Sequence, residues 1–473
     1  MLSALPGART RATLPDRMAS TSGVGVERDG RSGQGESRTA MLLAVYAPAA
    51  LLAFGQGLLL TTLPLYAATF DVSYGLISLA VAAAALGTLV TDVPAGALVG
   101  RLGLRPTMIG GTLLVAVSTF ALAAGQPFSL LIAARIAAGI GTALWGLSRH
   151  SFIATAIPVS ERGRAISVFG GINRIGTFAG PVAGGVLATW FGFRASFFAS
   201  GMMAVIALVL SIRYIKPAPR ATATTGVRGR WQVVGVVLRR NWRDLAAAGV
   251  AQTLAQMIRA GRLLIIPLYG ADVLGLDAAA VGLIMTASAL VDVSMFVPAG
   301  LLMDRFGRKT AAVPSFAVMA VGVAMIPAAS SFATLMAAAI VIGLGNGLGS
   351  GTMMTLGADL APTSATGEFL GLWRLIGDAG AFLGPVSVGI IAESAGLRGS
   401  AAVLAVVGVA AALTLALLVQ ETRRVLAVGP PGRPNTQRVP GGERGSAPGL
   451  GAEGRVSSPP RIGGPGGPNK EGR

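Results

Sequence analysis

The chain alternates long apolar runs with short polar ones. No Asp, Glu, Lys, Arg or His occurs between Arg38 and Asp71, between Arg105 and Arg135, between Lys309 and Asp359, or between Arg398 and Glu421. A helix needs about 20 apolar residues to cross a bilayer. The runs 106–134 and 310–358 exceed one crossing, and each holds a turn signal, Gly125-Gln126-Pro127 and Pro327 to Ser331, so each predicts a helical hairpin. The full pattern predicts spans at 41–65, 73–99, 107–124, 128–152, 170–190 and 195–214, then at 245–268, 280–303, 310–328, 332–356, 372–393 and 399–420. The fold class expected is all-α integral membrane, with twelve transmembrane helices.

Charge between the spans sets the orientation. The segment 215–243 carries Lys216, Arg220, Arg228, Arg230, Arg239, Arg240 and Arg243, which predicts a basic cytoplasmic linker. Arg101 and Arg105, Arg162 and Arg164, and Arg305, Arg308 and Lys309 fall on that same side, whereas the opposite connections offer little beyond Arg194 and Arg398. Both termini are therefore expected in the cytoplasm of a cell whose inner (plasma) membrane holds the protein. Residues 1–39 and 425–473 are polar and rich in Gly and Arg, Ser or Pro, and are expected to be disordered tails. They flank an N-terminal bundle, 40–214, and a C-terminal bundle, 244–424.

Composition narrows the chemistry. The chain is 53% hydrophobic and only 12% charged, so water is not its main solvent. It has no Cys and a single His150, which leaves no disulfide, no thiolate metal site and no zinc site. No nucleophile–base set and no G-x-x-x-x-G-K-[ST] loop occurs, so neither an enzyme nor direct ATP hydrolysis is expected, and no cofactor. The formal charge of +18 follows the positive-inside pattern and does not predict nucleic-acid binding. Nearly all of that charge is Arg, a composition expected of a GC-rich bacterial genome.

A repeat runs through the chain with one offset. Val93-Pro94-Ala95-Gly96 recurs as Val297-Pro298-Ala299-Gly300, giving 300 − 96 = 204; Gly139 and Gly141 recur as Gly343 and Gly345, Gly180-Pro181 as Gly384-Pro385, and Arg194 as Arg398, all at that spacing. Leu63-Pro64-Leu65-Tyr66 pairs with Ile266-Pro267-Leu268-Tyr269 at 203, after one gap. A shared register over independent landmarks predicts two six-helix bundles related by pseudo-two-fold symmetry.

At these positions the chain resembles the major facilitator superfamily, whose loop between the second and third spans carries G-x-x-x-D-R-x-G-x-[RK]. Gly300, Asp304, Arg305, Gly307 and Lys309 match it fully; the first half has Gly96, Arg101, Gly103 and Arg105 but Gly100 in place of the acid. The resemblance implies a cytoplasmic lock, intact only in the second half. Arg135-x-x-x-Gly139-x-Gly141 resembles the family's fourth-span motif. Gly176-x-x-x-Gly180-Pro181-x-x-Gly184-Gly185 resembles the fifth-span motif associated with antiporters, and returns in part as Gly380-x-x-x-Gly384-Pro385. Small residues at this spacing let helices approach closely and Pro removes a backbone donor, which suits either a bending gate or plain helix packing.

A charge at the bilayer centre costs at least roughly 2.5 to 3.5 kcal/mol, so intramembrane ionisable residues are candidates for function. Asp92, Arg135, Arg174, Arg259, Asp292, Arg374 and Asp378 lie in spans two, four, five, seven, eight and eleven, and none lies in spans three, six, nine or twelve. Arg374 and Asp378 share a helix face. Arg174 and Asp378 are repeat-related, 378 − 174 = 204, and are expected to face each other as a bridge between the halves, or else to be neutralised locally. Asp292, mid-span, is the first choice for a proton-coupling acid; Asp92, nearer the cytoplasmic end, is read as structural. Arg135 and Arg259 hold an anionic substrate or couple protonation to rocking, Arg262 snorkels outward, and Gln56, Gln252, Gln256 and Asn346 line a cavity or bond between helices. His150 is either a pH sensor or incidental.

These readings predict a secondary transporter of a small molecule, working by alternating access as a monomer in the lipid bilayer. The fifth-span motif favours proton-coupled efflux of a drug-like compound or metabolite. The excess of intramembrane Arg keeps open an organic-anion exchanger or importer. A non-transporting sensor or scaffold on the same fold is the alternative of another class.

Overall fold

The computed structural model describes residues 42–124, 127–156, 159–215, 242–362 and 365–421, with isolated positions between 232 and 239. The expected tails, most of the basic linker, and the side chains of His150, Arg162 and Arg164 lie outside the described residues.

Helices are the only regular structure among the described residues. They are α1 (Ala47–Ala68, entered through a π-helical turn Leu42–Tyr46), α2 (Tyr74–Leu102), α3 (Leu104–Ala123), α4 (Phe128–Ala156), α5 (Val159–Phe191) and α6 (Phe193–Tyr214). The second half follows with α7 (Trp242–Leu268), α8 (Ala278–Ser294 continuing as Phe296–Phe306), α9 (Arg308–Met325) and α10 (Phe332–Leu348 continuing as Thr352–Leu360). The run Thr366–Leu417 turns at Gly396, where φ is 66°, and so comprises α11 (366–395) and α12 (397–417). Among the described residues nine runs are long and apolar enough to cross a membrane unaided, the last holding both α11 and α12. The other two helices, α5 and α7, carry intramembrane arginines that lower their hydropathy. The described residues thus hold twelve spans.

The repeat is written into the helix ends. Ser73 caps α2 by accepting from the Leu76 amide, and Asp277 caps α8 by accepting from Ala280; 277 − 73 = 204. Gly103 and Gly307 stop α2 and α8 at φ 93° and 109°, a conformation a side chain resists, and Gly192 and Gly396 do the same after α5 and α11. Pro298 offers no N–H to the Ser294 carbonyl and crowds it, which accounts for the break of α8 at Met295.

Within each half the helices pack in the same order: α1 on α5 and α6, α3 on α4 and α6, α2 on α4, and correspondingly α7 on the α11–α12 run, α9 on α10 and α12, α8 on α10. Glycines let the backbones touch. A Cβ on Gly139 would collide with the Ala84 carbonyl, and one on Gly343 with the Ser288 carbonyl, again 204 residues on.

The halves meet through two symmetry-related helix pairs, α2 with α11 and α5 with α8. At the end that carries the α1–α2 and α7–α8 connections the contact is tight. The Gly75 amide donates to Glu393 Oε1 at 2.9 Å, and the Ala279 amide donates to Thr189 Oγ1 at 3.0 Å. These two bonds are repeat equivalents, since 279 − 75 and 393 − 189 both equal 204. Each half thus caps the first turn of a helix in the other. Tyr74 adds a 3.1 Å hydrogen bond to Asp272. Toward the α2–α3 end a Cβ on Gly96 would meet only Leu147, and one on Gly300 nothing within 4 Å.

Candidate functional site

Charges held in low dielectric need partners, and the structure pairs four of them, Asp92, Arg174, Asp292 and Arg374, across the interface between the halves. Arg374 of α11 places Nε 3.2 Å from Asp92 Oδ2 of α2 and 3.5 Å from Asp378 Oδ2 on its own helix. Two carboxyl groups therefore share one guanidinium. Arg174 of α5 places Nη1 3.8 Å from Asp292 Oδ1 of α8, stacks over Phe296 at 4.5 Å and donates to Ser350.

Asp292 is the hub of the second cluster. Its Oδ2 accepts from Asn346 Nδ2 of α10 at 2.7 Å and lies 4.0 Å from Arg262 of α7. Four helices thus converge on one carboxylate, α5 from the first half and α7, α8 and α10 from the second. Next to it, Arg259 donates to the Gly349 carbonyl at 2.9 Å and lies over the Phe316 ring at 5.0 Å.

The expected facing of Arg174 and Asp378 does not occur. Repeat-related residues sit diametrically across the pseudo-two-fold axis, whereas the helices in contact across the interface are α5 with α8 and α2 with α11. The bridges that form, Arg174–Asp292 and Asp92–Arg374, are related by 200 rather than 204 (292 − 92 and 374 − 174). That difference of four residues staggers them by about one helical turn, roughly 6 Å. Arg262 does not snorkel: its side chain is 13% exposed and turned toward Asp292. Asp92, read as structural, is half of an inter-half ion pair.

Arg135 is different. It lines a cavity of about 320 Å3 together with Gln56, Thr88, Thr142, Leu263 and Pro385. Its Nε is buried without a hydrogen-bond partner, and no carboxylate among the described residues pairs with it. The cavity draws on both halves, since Ala260, Leu263, Ala381 and Pro385 belong to α7 and α11. Gln252 and Gln256 lie against Gly377 and Gly380, where α7 packs on α11.

The glycine motif in α5 provides close packing. A Cβ on Gly176 would lie 2.7 Å from the Phe54 amide nitrogen, and those on Gly180 and Gly184 would strike the backbone of Gly57 and Leu58 in α1. Gly185 faces Ala278 of the other half. At Pro181 the α5 ladder opens, and Thr286 of α8 enters it: its hydroxyl donates to the Phe178 carbonyl at 3.2 Å and accepts from the Val182 amide at 3.0 Å. In the second half Gly384 approaches Met257 in the same manner.

The loop motif clips helices within the second half. Arg308 Nε lies 3.0 Å from Asp359 of α10, and Asp304, largely exposed, lies 3.8 Å from Arg308. Glu421 accepts the Arg308 and Lys309 amides, each at 2.9 Å, and Lys309 Nζ donates to the Ala416 carbonyl at 2.8 Å. In the first half Arg105 donates to Ile212 O at 3.0 Å, the repeat equivalent of that last bond, while Arg101 is exposed. Thr286, Ser350, Arg308, Asp359 and Glu421 were not legible in sequence, because each acts through a partner more than fifty residues away.

The model of the Major Facilitator Superfamily matches residues 49–277 and 248–452. An uncharacterised MFS-type transporter of Methanocaldococcus jannaschii is 23% identical over 345 residues, 72% of this chain and 89% of the relative. The riboflavin transporter RibZ of Clostridioides difficile is 25% identical over 335 residues, 60% of this chain and 73% of RibZ. The quinolone resistance protein NorA of Staphylococcus aureus is 27% identical over 185 residues, 39% of this chain and 47% of NorA. Among solved structures, a D-xylose–proton symporter superposes with a TM-score of 0.67 at 18% identity, covering 82% of this chain and 99% of the symporter. With its twelve spans, its paired halves and a family match over most of its length, the chain belongs to the major facilitator superfamily of membrane transporters.

Proposed function

We propose that this transporter exports a drug-like compound or metabolite in exchange for protons, by rocking one six-helix half against the other. The observation that carries the reading is Asp292, one carboxylate gripping α5 of the first half and α7 and α10 of the second. Charged, it clamps α5 to α8; protonated, it loses both guanidiniums and the clamp weakens. Asp92 and Asp378 around Arg374 offer a second place for a proton, since two carboxyls there face one cation. The basic connections favour an orientation with the α2–α3 end on the cytoplasmic side of the plasma membrane. In that orientation the contacts at the α1–α2 end close the outer face, and the halves part toward the inside. The likeness to NorA, a quinolone resistance protein, and to a riboflavin transporter supports an organic cargo of this class.

A second reading is favoured by Arg135. Six buried or half-buried guanidiniums, Arg135, Arg149, Arg174, Arg259, Arg262 and Arg374, stand inside the spans against three carboxyls, Asp92, Asp292 and Asp378. The one lining the cavity has no carboxylate partner among the described residues. A carboxylate or sulfonate on the cargo would complete it.

The test is proton flux in proteoliposomes carrying an internal pH dye, with cationic drugs and organic anions as a panel. Cargo-triggered proton movement that disappears in Asp292→Asn supports exchange. Cargo movement with an unchanged proton signal in both proteins rejects proton coupling through Asp292. Selective loss of anions in Arg135→Gln selects the second reading.

A further inference from the structure

The seam between α9 and α12 is unlike its repeat equivalent between α3 and α6. In the first half Phe120 and Phe198 close the seam edge to face, with ring centroids 5.5 Å apart. Adding 204 turns Phe120 into Ala324 and Phe198 into Ala402, and likewise Leu113 into Ala317 and Ile212 into Ala416. The second half therefore keeps an open groove of about 620 Å3 where the first half has its own side chains, and every residue lining it is apolar. It runs from Val313 of α9 to Pro327 in the 3-10 turn that follows that helix. From Val313 to the end of α9 at Met325, 325 − 313 = 12 residues rise about 18 Å.

A cation stands at the α2–α3 end of the groove. Lys309 Nζ donates to the carbonyl of Ala416, itself a lining residue, at 2.8 Å. An ammonium has three donors, so two remain. No carboxylate among the described residues lies within ion-pair distance of Lys309: Asp304 and Asp359 pair with Arg308, and Glu421 accepts the two backbone amides. Arg105 holds the same place in the first half, but there the aromatic pair fills the seam.

We propose that the α9–α12 groove binds one acyl chain of an anionic phospholipid, with its phosphate on Lys309. The walls offer only dispersion contacts, which suits a hydrocarbon chain lying along the helices, and the unpaired ammonium at one mouth selects a negative headgroup. The site depends neither on the cargo nor on which end faces the cytoplasm.

Native mass spectrometry of the full chain released from detergent tests it, with phosphatidylglycerol and phosphatidylethanolamine as probes. One phosphatidylglycerol should be retained per chain. Lys309→Gln should narrow its preference over phosphatidylethanolamine by about fivefold. The double variant Ala324→Phe with Ala402→Phe, which writes the first-half residues into the second, should retain neither lipid. Unchanged retention in a double variant of wild-type melting temperature overturns the proposal, as does a dimer that this variant dissociates, which would assign the groove to a second copy. Should the double variant not fold, a bimane on Val409→Cys, unique in a chain without cysteine, gives a direct readout. Brominated-chain phosphatidylglycerol should quench it more strongly than the matching phosphatidylethanolamine, and equal quenching overturns the site.

Discussion

Gly282 of α8 lies against α5 of the other half, and its substitution separates packing from gating. A Cβ added there would sit 2.5 Å from the Pro181 carbonyl oxygen and 3.2 Å from Val182 Cα, all backbone atoms that cannot rotate away. Reaching ordinary contact requires the two helices to part by about 1 Å. Overpacking of this kind costs about 1–3 kcal/mol, and the cost applies only while the α1–α2 ends are together. The gain of about 0.8–1 kcal/mol in helix propensity from Gly→Ala is common to both conformations and cancels from their ratio. Gly282→Ala should therefore shift the ratio of the two states by about 5- to 150-fold toward separation at the α1–α2 end. The absence of cysteine makes the assay clean. Spin labels on Leu130→Cys and Val273→Cys, exposed positions near the α1–α2 end, should move apart, and labels on Leu102→Cys and Phe306→Cys at the other end should approach. Distances unchanged at both ends, with a lowered melting temperature, would show that the overlap is absorbed inside the closed state and that this contact does not set the equilibrium.

Three further outcomes follow from the same geometry. Arg174→Gln and Asp292→Asn should each abolish cargo-triggered proton flux and lower stability by about 1–3 kcal/mol, less than for a fully buried pair because Arg174 is 30% exposed; in a double-mutant cycle on melting temperature the two effects should be non-additive, and additivity would dissolve the pairing. Glu393→Gln should loosen the α1–α2 end less than Glu393→Ala, because the amide still accepts from Gly75, and Thr189→Val should act like the alanine variant; label distances across that end read the order. Gly139→Ala and Gly343→Ala should both lower stability, by about 1–3 kcal/mol each, since each methyl meets a repeat-related carbonyl; a thermal melt showing one tolerated and the other not would break the equivalence.

The extent of what was legible in the chain follows from the range of the forces involved. Apolar length and turn residues act over a few residues, so the spans and the repeat at 204 are readable without coordinates. The division between spans with and without ionisable residues is readable for the same reason, because the bilayer charges each residue separately for its polarity.

Which charge meets which across the halves was decided by the tertiary structure alone. The repeat relates Arg174 to Asp378, but relation by symmetry is not adjacency, and the packing of α5 on α8 gives Arg174 to Asp292 and leaves Asp378 with Arg374. Arg262 reads as a snorkelling side chain from its position along α7 and is turned inward because of the helix face it occupies, which only neighbours define. The α9–α12 groove is of the same kind: each alanine is unremarked in a helix, and a cavity exists only where two helices place their alanines opposite one another. Local chemistry determined the elements and their order; rotation of each helix about its axis, fixed by packing against several others at once, decided the site.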